Sequence, residues 1–308
     1  MPRFSVRAWE RRHKVRSYRP KRSGGPTRRR RYPARRRRYT KRPTMSRKRI
    51  LNISSRKKRD NMVVYTNTTI AAPQGGVSYA KTAAVLTGNQ TYIFPWIATA
   101  RDLTIGVGTN YPTVANESAR TASLCYMRGL KEATNIRTTT GVAWQWRRVC
   151  FTLKGQRLYQ ANGAGQYFLL ETSDGIVRVV NNVNGTSLGD SILDLVFDGK
   201  AGSDWLNIFN AKLDNQVISV KYDKTRTIAS GNQNGIMRTY RDWLPMNKNL
   251  MFDDDENAAG EQTQPWSISG RQGMGDYYVM DFFQAAQGAA QTDQLVFSPE
   301  ATLYWHEK

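Results

Sequence analysis

Histidine and cysteine are almost absent from this chain of 308 residues. Its two histidines, His13 and His306, lie near opposite ends, and its two cysteines are Cys125 and Cys150. Zinc sites usually draw on clustered cysteine and histidine ligands, so the composition predicts no metal and no other cofactor. It also excludes a Ser-His-Asp triad unless His306 serves it. Two cysteines offer at most one disulfide, and we expect both thiols to be reduced, in the cytosol or the nucleus.

Motifs for catalysis and for nucleotide binding are also lacking. A pairing of Cys150 with His306 as a catalytic dyad is one interpretation, but we expect Cys150 to be a buried thiol on a strand. The glycines at 106–108 and 273–275 lack the third glycine of a dinucleotide-binding loop, and no Gly-Lys-Ser/Thr sequence closes a phosphate-binding loop. The sequence therefore predicts a protein that is not an enzyme.

Long apolar runs are missing. The longest, at 167–170 and 195–197, are far shorter than the roughly 20 residues of a membrane span. They are also shorter than the apolar centre of a signal peptide. We expect no membrane partner and no routing for secretion.

Acidic and aliphatic residues are scarce in the first 60 positions. That segment holds 26 Lys and Arg against Glu10 and Asp60, a formal charge of +24, which leaves 21 against 22, or −1, for residues 61–308. Almost no aliphatic side chain precedes Ile50, so burial cannot offset the entropy lost on ordering. We therefore predict a disordered, Arg-rich basic arm at 1–60, followed by a folded body at 61–308.

The arm contains a seven-residue unit that occurs twice, at 28–34 and 35–41, each time with four arginines before a tyrosine. Guanidinium groups bind phosphate oxygens in a forked geometry, and tyrosine rings stack on unpaired bases without sequence preference. The predicted nucleic-acid contacts are Arg28, Arg29, Arg30, Arg31, Tyr32, Arg35, Arg36, Arg37, Arg38, Tyr39, Lys41, Arg42, Arg47, Lys48 and Arg49. A nuclear-import signal is predicted for Arg28, Arg29, Arg30, Arg31, Arg35, Arg36, Arg37, Arg38, Arg56, Lys57, Lys58 and Arg59, with import receptors of the host as partners.

The body has the pattern of an all-β sandwich or barrel. Short β-branched and aromatic segments alternate there with Gly, Asn, Asp and Pro. We predict strands at 62–70, 92–98, 124–130, 142–153, 167–172, 176–180, 192–197, 217–228, 235–243, 277–283 and 302–306. Helical patterns are rare, and the best is 204–213, where Trp205, Ile208 and Phe209 follow an N-cap at Ser203/Asp204.

One turn can be predicted from its chemistry. Asp174-Gly175 joins the apolar segments 167–173 and 176–180. An Asp-Gly pair suits the two positive φ angles of a type I′ turn. We expect the two segments to pair as an antiparallel hairpin.

The tryptophan-rich segment 142–153 has apolar side chains at both even-numbered and odd-numbered positions, which would point to opposite faces of a strand. Trp144 and Trp146 occupy even positions, whereas the apolar residues at 149, 151 and 153 occupy odd ones. Either a bulge at 147/148 restores a single apolar face, or both faces are covered, one by the core and one by a neighbouring subunit.

A second basic group lies within the body, between residues 217 and 250. It comprises Lys221, Lys224, Arg226, Arg238, Arg241 and Lys248, against only Asp223 and Asp242. Lys224 and Arg226 share the parity of the apolar residues at 218, 220 and 222, so this strand turns cationic towards its end. That end either faces nucleic acid or a subunit junction, or is an ordinary solvated strand end. On the first interpretation, Lys221, Lys224 and Arg226 bind nucleic acid.

Four consecutive acids follow this group, at Asp253-Asp254-Asp255-Glu256. Carboxylates can bind a hard cation, but neighbouring residues point in different directions and the spacing of an EF-hand is absent. We expect an acidic surface loop.

The chain resembles a known family in three places. Val220-Lys-Tyr-Asp-Lys-Thr-Arg-Thr-Ile228, Trp243-Leu-Pro-Met-Asn-Lys-Asn-Leu250 and the acidic run that follows are similar to the capsid proteins of genomoviruses, the gemycircularvirus group. More distantly, Asn247-Lys-Asn-Leu250 before an acidic or polar loop is similar to geminivirus coat proteins. A basic arm before an all-β body fits the same resemblance.

The resemblance implies a single jelly-roll β-sandwich of two antiparallel four-stranded sheets. It implies self-assembly of about 60 copies into a small icosahedral shell, around circular single-stranded DNA, in the virion and the host cell nucleus. Single and twinned shells both remain open. The alternative is a host nucleic-acid-binding protein of architectural or ribosomal type, but such proteins usually spread positive charge over the folded domain, whereas this body is near neutral.

Overall fold

The computed structural model describes residues 44–105, 110–158 and 168–308. Within these ranges the protein is almost entirely β, with two short helices, α1 (Arg47–Ser54) and α2 (Ser187–Val196). The strands are β1 (Arg56–Met62), β2 (Val64–Thr66), β3 (Ala84–Thr87), β4 (Thr91–Ile97), β5 (Leu124–Thr138), β6 (Trp144–Leu153), β7 (Glu171–Thr172), β8 (Gly175–Ile176), β9 (Arg178–Val180), β10 (Ser219–Ile228), β11 (Met237–Met251), β12 (Asp255–Asn257), β13 (Gly260–Gln262), β14 (Asp276–Ala285) and β15 (Gln294–Glu307). The predicted all-β class is confirmed.

Eight long strands build two antiparallel sheets. Sheet 1 has the order β1-β15-β5-β11, and the short β3 pairs with the first part of β15. Sheet 2 has the order β10-β6-β14-β4. When only the eight long strands are counted along the chain, the two orders read 1-8-3-6 and 5-4-7-2. Strands close in sequence therefore often lie in different sheets.

The main core lies between the two sheets, where side chains from both interdigitate. One group, around Trp96, Leu130 and Trp305, fills one end of this space. A second, aromatic group fills the other end, where the rings of Trp146 and Phe283 stack with centroids 5.7 Å apart. Both groups join residues of both sheets, so each sheet depends on the other for burial of its inner face.

The outer face of sheet 2 is covered by a further layer of the same chain. Helix α2 and the segment 197–218 pack there on Phe151, Met280 and Phe282. The apolar side chains of α2 are buried in this layer. Sheet 2 is thus apolar on both faces, whereas the outer face of sheet 1 carries exposed polar side chains.

This layer corrects two predicted elements. The strand predicted at 192–197 is the last part of α2, because Thr186 caps the helix by accepting a hydrogen bond from the Gly189 N–H. The helix predicted at 204–213 is a series of turns. The Asp204 carboxylate accepts from the Lys200 N–H instead of capping a helix, and the Asn207 side chain accepts from the N–H two residues on, as in an Asx-turn.

Both faces of β6 are covered, as one of the two alternatives predicted. Trp144 and Trp146 face the space between the sheets, and Phe151 faces the layer that contains α2. The cover is the same chain and not a neighbouring subunit. The bulge lies in the adjacent strand β10, between Val220 and Tyr222.

The predicted hairpin is present, but its turn is shifted. β7 and β8 pair antiparallel, with Thr172 opposite Gly175. Because Thr172 pairs with Gly175, the two loop residues are Ser173 and Asp174. In this turn only Gly175 has a positive φ, +85°. β9 leaves the hairpin and pairs parallel with β2. Tyr167, at the predicted start, lies outside the described residues.

Residues 46–308 form one compact unit, which begins before the boundary expected at residue 60. The side chain of Ser46 caps α1, and β1 then pairs along the end of β15. The assignment of residues 56–60 to a disordered arm is therefore wrong. Backbone pairing with β15, the burial of Met62, and the ion pairs of Lys58 with Glu307 and of Asp60 with Arg101 offset the lack of aliphatic side chains. The disorder predicted for residues 1–43 concerns residues outside the described ranges.

Candidate nucleic-acid interface

The outward face of sheet 1 is lined with exposed basic side chains. We call the set the basic face, and it consists of Lys57, Arg59, Arg128, Lys131, Arg137 and Arg241. Two exposed acids lie near these six cations: Glu300 on β15, and Glu117, whose carboxylate is 3.9 Å from Arg59 Nε. The face therefore has a clear excess of positive charge.

Strand register brings these side chains together from distant parts of the chain. Lys57 on β1 lies opposite His306 on β15, which lies opposite Tyr126 on β5. In a second row, Lys131 lies opposite Trp243 on the edge strand β11. Neighbouring strands are about 4.8 Å apart, so each row places a cationic side chain within a short distance of an aromatic one.

An exposed tryptophan forms a flat platform within the basic face. Trp243 is half exposed, and its ring centroid lies 5.9 Å from that of Tyr304. Gly129 lies beneath the indole with a φ of +155°, and a Cβ at that position would be 2.7 Å from Trp243 Cζ2. The glycine therefore allows the ring to lie close against the sheet. An aromatic face between cations is the arrangement on which unpaired bases stack.

The pKa of His306 depends on the charges of the basic face. Its Nδ1 is 3.4 Å from Ser55 Oγ, and its ring centroid is 6.0 Å from that of Tyr126. Partial burial, and then the charges of Lys57 and Arg128, lower the pKa of His306 below its ordinary value. The imidazole is therefore sensitive to any anion that binds between these two cations.

We expect bound single-stranded DNA to raise the pKa of His306, because phosphates offset the repulsion by Lys57 and Arg128. The pKa is measured by NMR titration of the imidazole, in a His13→Ala variant that leaves His306 as the only histidine. The matched control adds Lys57→Gln, which removes part of the repulsion and should raise the pKa of the free protein. A pKa that is the same with and without saturating DNA would contradict binding at this face.

The nucleic-acid contacts predicted from the sequence lie in different parts of the chain, and only some of them are among the described residues. Those from Arg28 to Arg42 lie outside the described residues. Arg47, Lys48 and Arg49 are exposed on α1, and Lys221 and Lys224 are exposed on β10. The basic face itself was missed, apart from Arg241. Its signal was the shared parity of Lys131 and Arg137, opposite to that of Leu130 and Ile136, in the part of β5 that extends beyond the strand predicted at 124–130.

Arg226, also predicted as a nucleic-acid contact, is already bound within its own chain. Its Nη2 donates to Asp242 Oδ1 at 2.6 Å and to Tyr222 Oη at 2.9 Å. The guanidinium also lies over the rings of Trp146 and Tyr240. A carboxylate and two aromatic rings of the same chain thus already contact the guanidinium, and binding of nucleic acid by this residue stays a prediction.

The basic run Arg56–Arg59, predicted as part of an import signal, is divided by strand geometry. Lys57 and Arg59 point outward, whereas the Lys58 ammonium is buried and lies 3.2 Å from Glu307 Oε2. It also donates to the Ala119 carbonyl at 2.6 Å. An import receptor therefore cannot read this run as four free cations while β1 stays in the sheet.

Four charged side chains are fully buried between the sheets. We call Glu132, Arg148, Arg178 and Asp281 the buried charge cluster. Arg148 Nε lies 2.7 Å from Asp281 Oδ1, and Arg178 Nη2 lies 2.8 Å from Asp281 Oδ2. Both arginines also contact Glu132. The cluster links β5, β6, β9 and β14, and thus joins the two sheets.

The cluster keeps its charges although it is shielded from water. Burial alone would raise the pKa of Asp281, but the charges of Arg148 and Arg178 outweigh it and hold that pKa below its ordinary value. Trp146 Nε1 donates a further hydrogen bond to Asp281 at 2.8 Å. Two positive and two negative groups balance each other, so the cluster leaves no net charge in the interior and offers nothing to a ligand.

The thiol and imidazole considered as a dyad lie on different sides of sheet 1. Cys150 is fully buried in the core, as predicted, and burial raises the pKa of its thiol. His306 points outward from β15, next to the buried Trp305. The two side chains therefore form no catalytic pair. Cys125 is also a free, buried thiol.

The acidic run is only partly a surface loop. Asp255 and Glu256 are exposed on β12, but the Asp254 carboxylate is buried and pairs with Arg120. In the described ranges no group of three or more His, Cys, Asp or Glu is placed to hold a metal ion. Neither described helix is long and apolar enough to cross a membrane.

No protein-family model matches the chain, and no curated protein matches it in sequence. The basic face is therefore interpreted from its own residues.

Proposed function

We propose that this chain is a viral capsid protein that assembles into a small icosahedral shell and packages circular single-stranded DNA. The basic face carries the proposal, because it combines cations for phosphates with the aromatic platform of Trp243 and Tyr304. Each neutralised phosphate releases counterions and favours binding, and base stacking adds affinity without sequence preference. A genome-packaging protein needs this kind of affinity.

The order of the strands supports the shell. The orders 1-8-3-6 and 5-4-7-2 are those of a jelly roll, which we propose as the fold; viral capsid domains commonly have it. The two outer faces of the subunit also differ, since sheet 1 is basic and sheet 2 is covered. We propose that sheet 1 faces the lumen and the DNA, in about 60 copies related by closed symmetry.

Helix α1 lies on the same side of the body as the basic face. This helix leads from the arm into β1, Lys57 Nζ donates to the Asn52 carbonyl, and Ser55 contacts His306. We propose that the arm's arginines contact the same DNA and also bind import receptors of the host, so that the protein occurs in the nucleus and the virion.

The alternative is a host protein of architectural or ribosomal type. The near-neutral charge of residues 61–308 favours a shell subunit, because neighbouring bodies must pack closely in a shell. A host module would coat nucleic acid without closing around it. The two functions therefore differ in whether bound DNA stays open to solvent.

We expect the full chain, mixed with circular single-stranded DNA at low salt, to form closed particles that protect the DNA from nuclease. Negative-stain microscopy and sedimentation detect the particles. A variant with alanine at positions 28–31 and 35–38 should package less DNA. In a separate control, duplex DNA of equal length should not be enclosed, because a duplex is much stiffer than a single strand. Soluble complexes with nuclease-sensitive DNA and no particles would favour the host-module alternative.

A further inference from the structure

Each sheet has one covered edge and one open edge. The β4 edge is covered through hydrogen bonds from the Val183 N–H to the Ile93 carbonyl and from the Ile97 N–H to the Phe168 carbonyl. The β1 edge is covered in part by the segment around Glu117. Among the described residues, β10 and residues 237–247 of β11 form ladder bonds on one side only, with β6 and β5. The two open edges are consecutive in the chain and lie on the same side of the sandwich.

The open edges carry positive charge without counter-charge. The two acids there are taken by arginines of the same chain: Asp223 pairs with Arg147 at 2.7 Å, and Asp242 pairs with Arg226 at 2.6 Å. The cations that remain exposed, and that form no ion pair with any described residue, are Lys221, Lys224, Arg238 and Arg241, together with Lys248 just beyond the open part of β11.

Two of these lysines repel each other. Partial burial and the charge of Lys248 both lower the pKa of Lys221. The two strand edges thus bring like charges together, on β10 and on β11. Such an arrangement is stabilised when an anionic group binds across it.

The hairpin of β12 and β13 carries an excess of negative charge. Asp255, Glu256 and Glu261 are exposed, and Glu256 lies directly opposite Glu261 in the register. Like charges at directly opposed positions destabilise a β-ladder. No basic side chain of the described chain pairs with these three carboxylates. The hairpin is therefore complementary in charge to the open edges.

We propose that the open edges of β10 and β11 bind the acidic hairpin of a second copy of this chain. This inference rests on the proposed shell, in which one patch must meet a different patch on the next copy to close a ring. Bulges interrupt both edge strands, between Val220 and Tyr222 and between Pro245 and Lys248. Bulges and lysines prevent an edge from pairing with another strand, so the contact forms through ion pairs between side chains.

The test exchanges the charges of the two patches. Variant one, Lys221→Glu with Lys248→Glu, should weaken association at least ~10-fold, because like charges would face each other. Variant two, Glu256→Lys with Glu261→Lys, should weaken it to a similar extent. A third variant with all four substitutions restores opposite charges and should recover association. Sedimentation velocity measures association of the protein without DNA, and circular dichroism confirms that each variant is folded.

The outcomes separate this contact from the proposed function. Wild-type particles that form normally, with variants one and two assembling as well as wild type, would overturn only the hairpin contact. Loss in variant one that the fourfold exchange does not repair, together with weaker binding of single-stranded DNA, would show that nucleic acid occupies the edges instead. A wild-type chain that stays monomeric with and without DNA would overturn both the contact and the shell.

Discussion

Replacing Arg148 with methionine is expected to lower the free energy of unfolding by about 3–5 kcal/mol. Arg148 contacts Glu132 and Asp281, and all three side chains are fully buried. Methionine fills part of the space but leaves the two carboxylates facing only Arg178. Removal of one partner from a buried ionic group leaves charge without compensation, which costs far more than the group contributes as an intact set.

Chemical denaturation of the purified protein measures this loss. The control is Lys212→Met, which breaks a contact of similar length, 2.7 Å to Asp198 Oδ2, between side chains that are 77% and 53% exposed. That loss should stay below about 1 kcal/mol, because water screens exposed pairs. Similar losses for the two variants would mean that burial does not set the value of these ion pairs.

Neutralising four cations of the basic face should reduce affinity for single-stranded DNA by roughly 10²–10³-fold near 0.1 M salt. The variant carries glutamine at Lys57, Arg128, Lys131 and Arg137. Each lost phosphate contact reduces the slope of log affinity against log salt by about 0.7 for single strands, so the slope should fall by about 3. Fluorescence anisotropy of a labelled oligonucleotide at several salt concentrations measures both quantities.

A matched control removes the same number of charges elsewhere. Arg157, Lys200, Lys212 and Arg271 are exposed and lie outside the face of sheet 1. Glutamine at these four positions changes the net charge equally and should leave the salt slope almost unchanged. If the control loses as much affinity as the face variant, general attraction by net charge governs binding, and the basic face is not the interface.

The strands were predictable where apolar segments are long. The segments that became β4, β6 and β14 were placed almost correctly, because their β-branched and aromatic side chains are buried on both sides of a sheet. β1 was missed because its side chains are mostly charged, and only pairing with β15 makes it a strand. α2 was misread because a short apolar run has the same composition in a buried helix and in a strand.

The candidate site was less predictable than the fold. Its cations come from β1, β5 and β11, and nothing in the sequence reveals that β15 lies between the first two of these. The buried charge cluster was missed for a similar reason. Asp281 is a lone acid within the apolar segment 277–283, but its partners become apparent only when the two sheets are packed together.

The buried charge cluster also constrains how this sequence can diverge. Each of its four members contacts two members of opposite charge, so a single substitution at any of them leaves an unpaired charge in the interior. Replacement of a whole buried ionic group by well-packed apolar side chains is often neutral or stabilising, but no path of single substitutions reaches that state without a costly intermediate. Descendants of this chain should therefore keep all four charges or lose them together. The basic face has no such barrier, because its exposed cations can be exchanged one at a time.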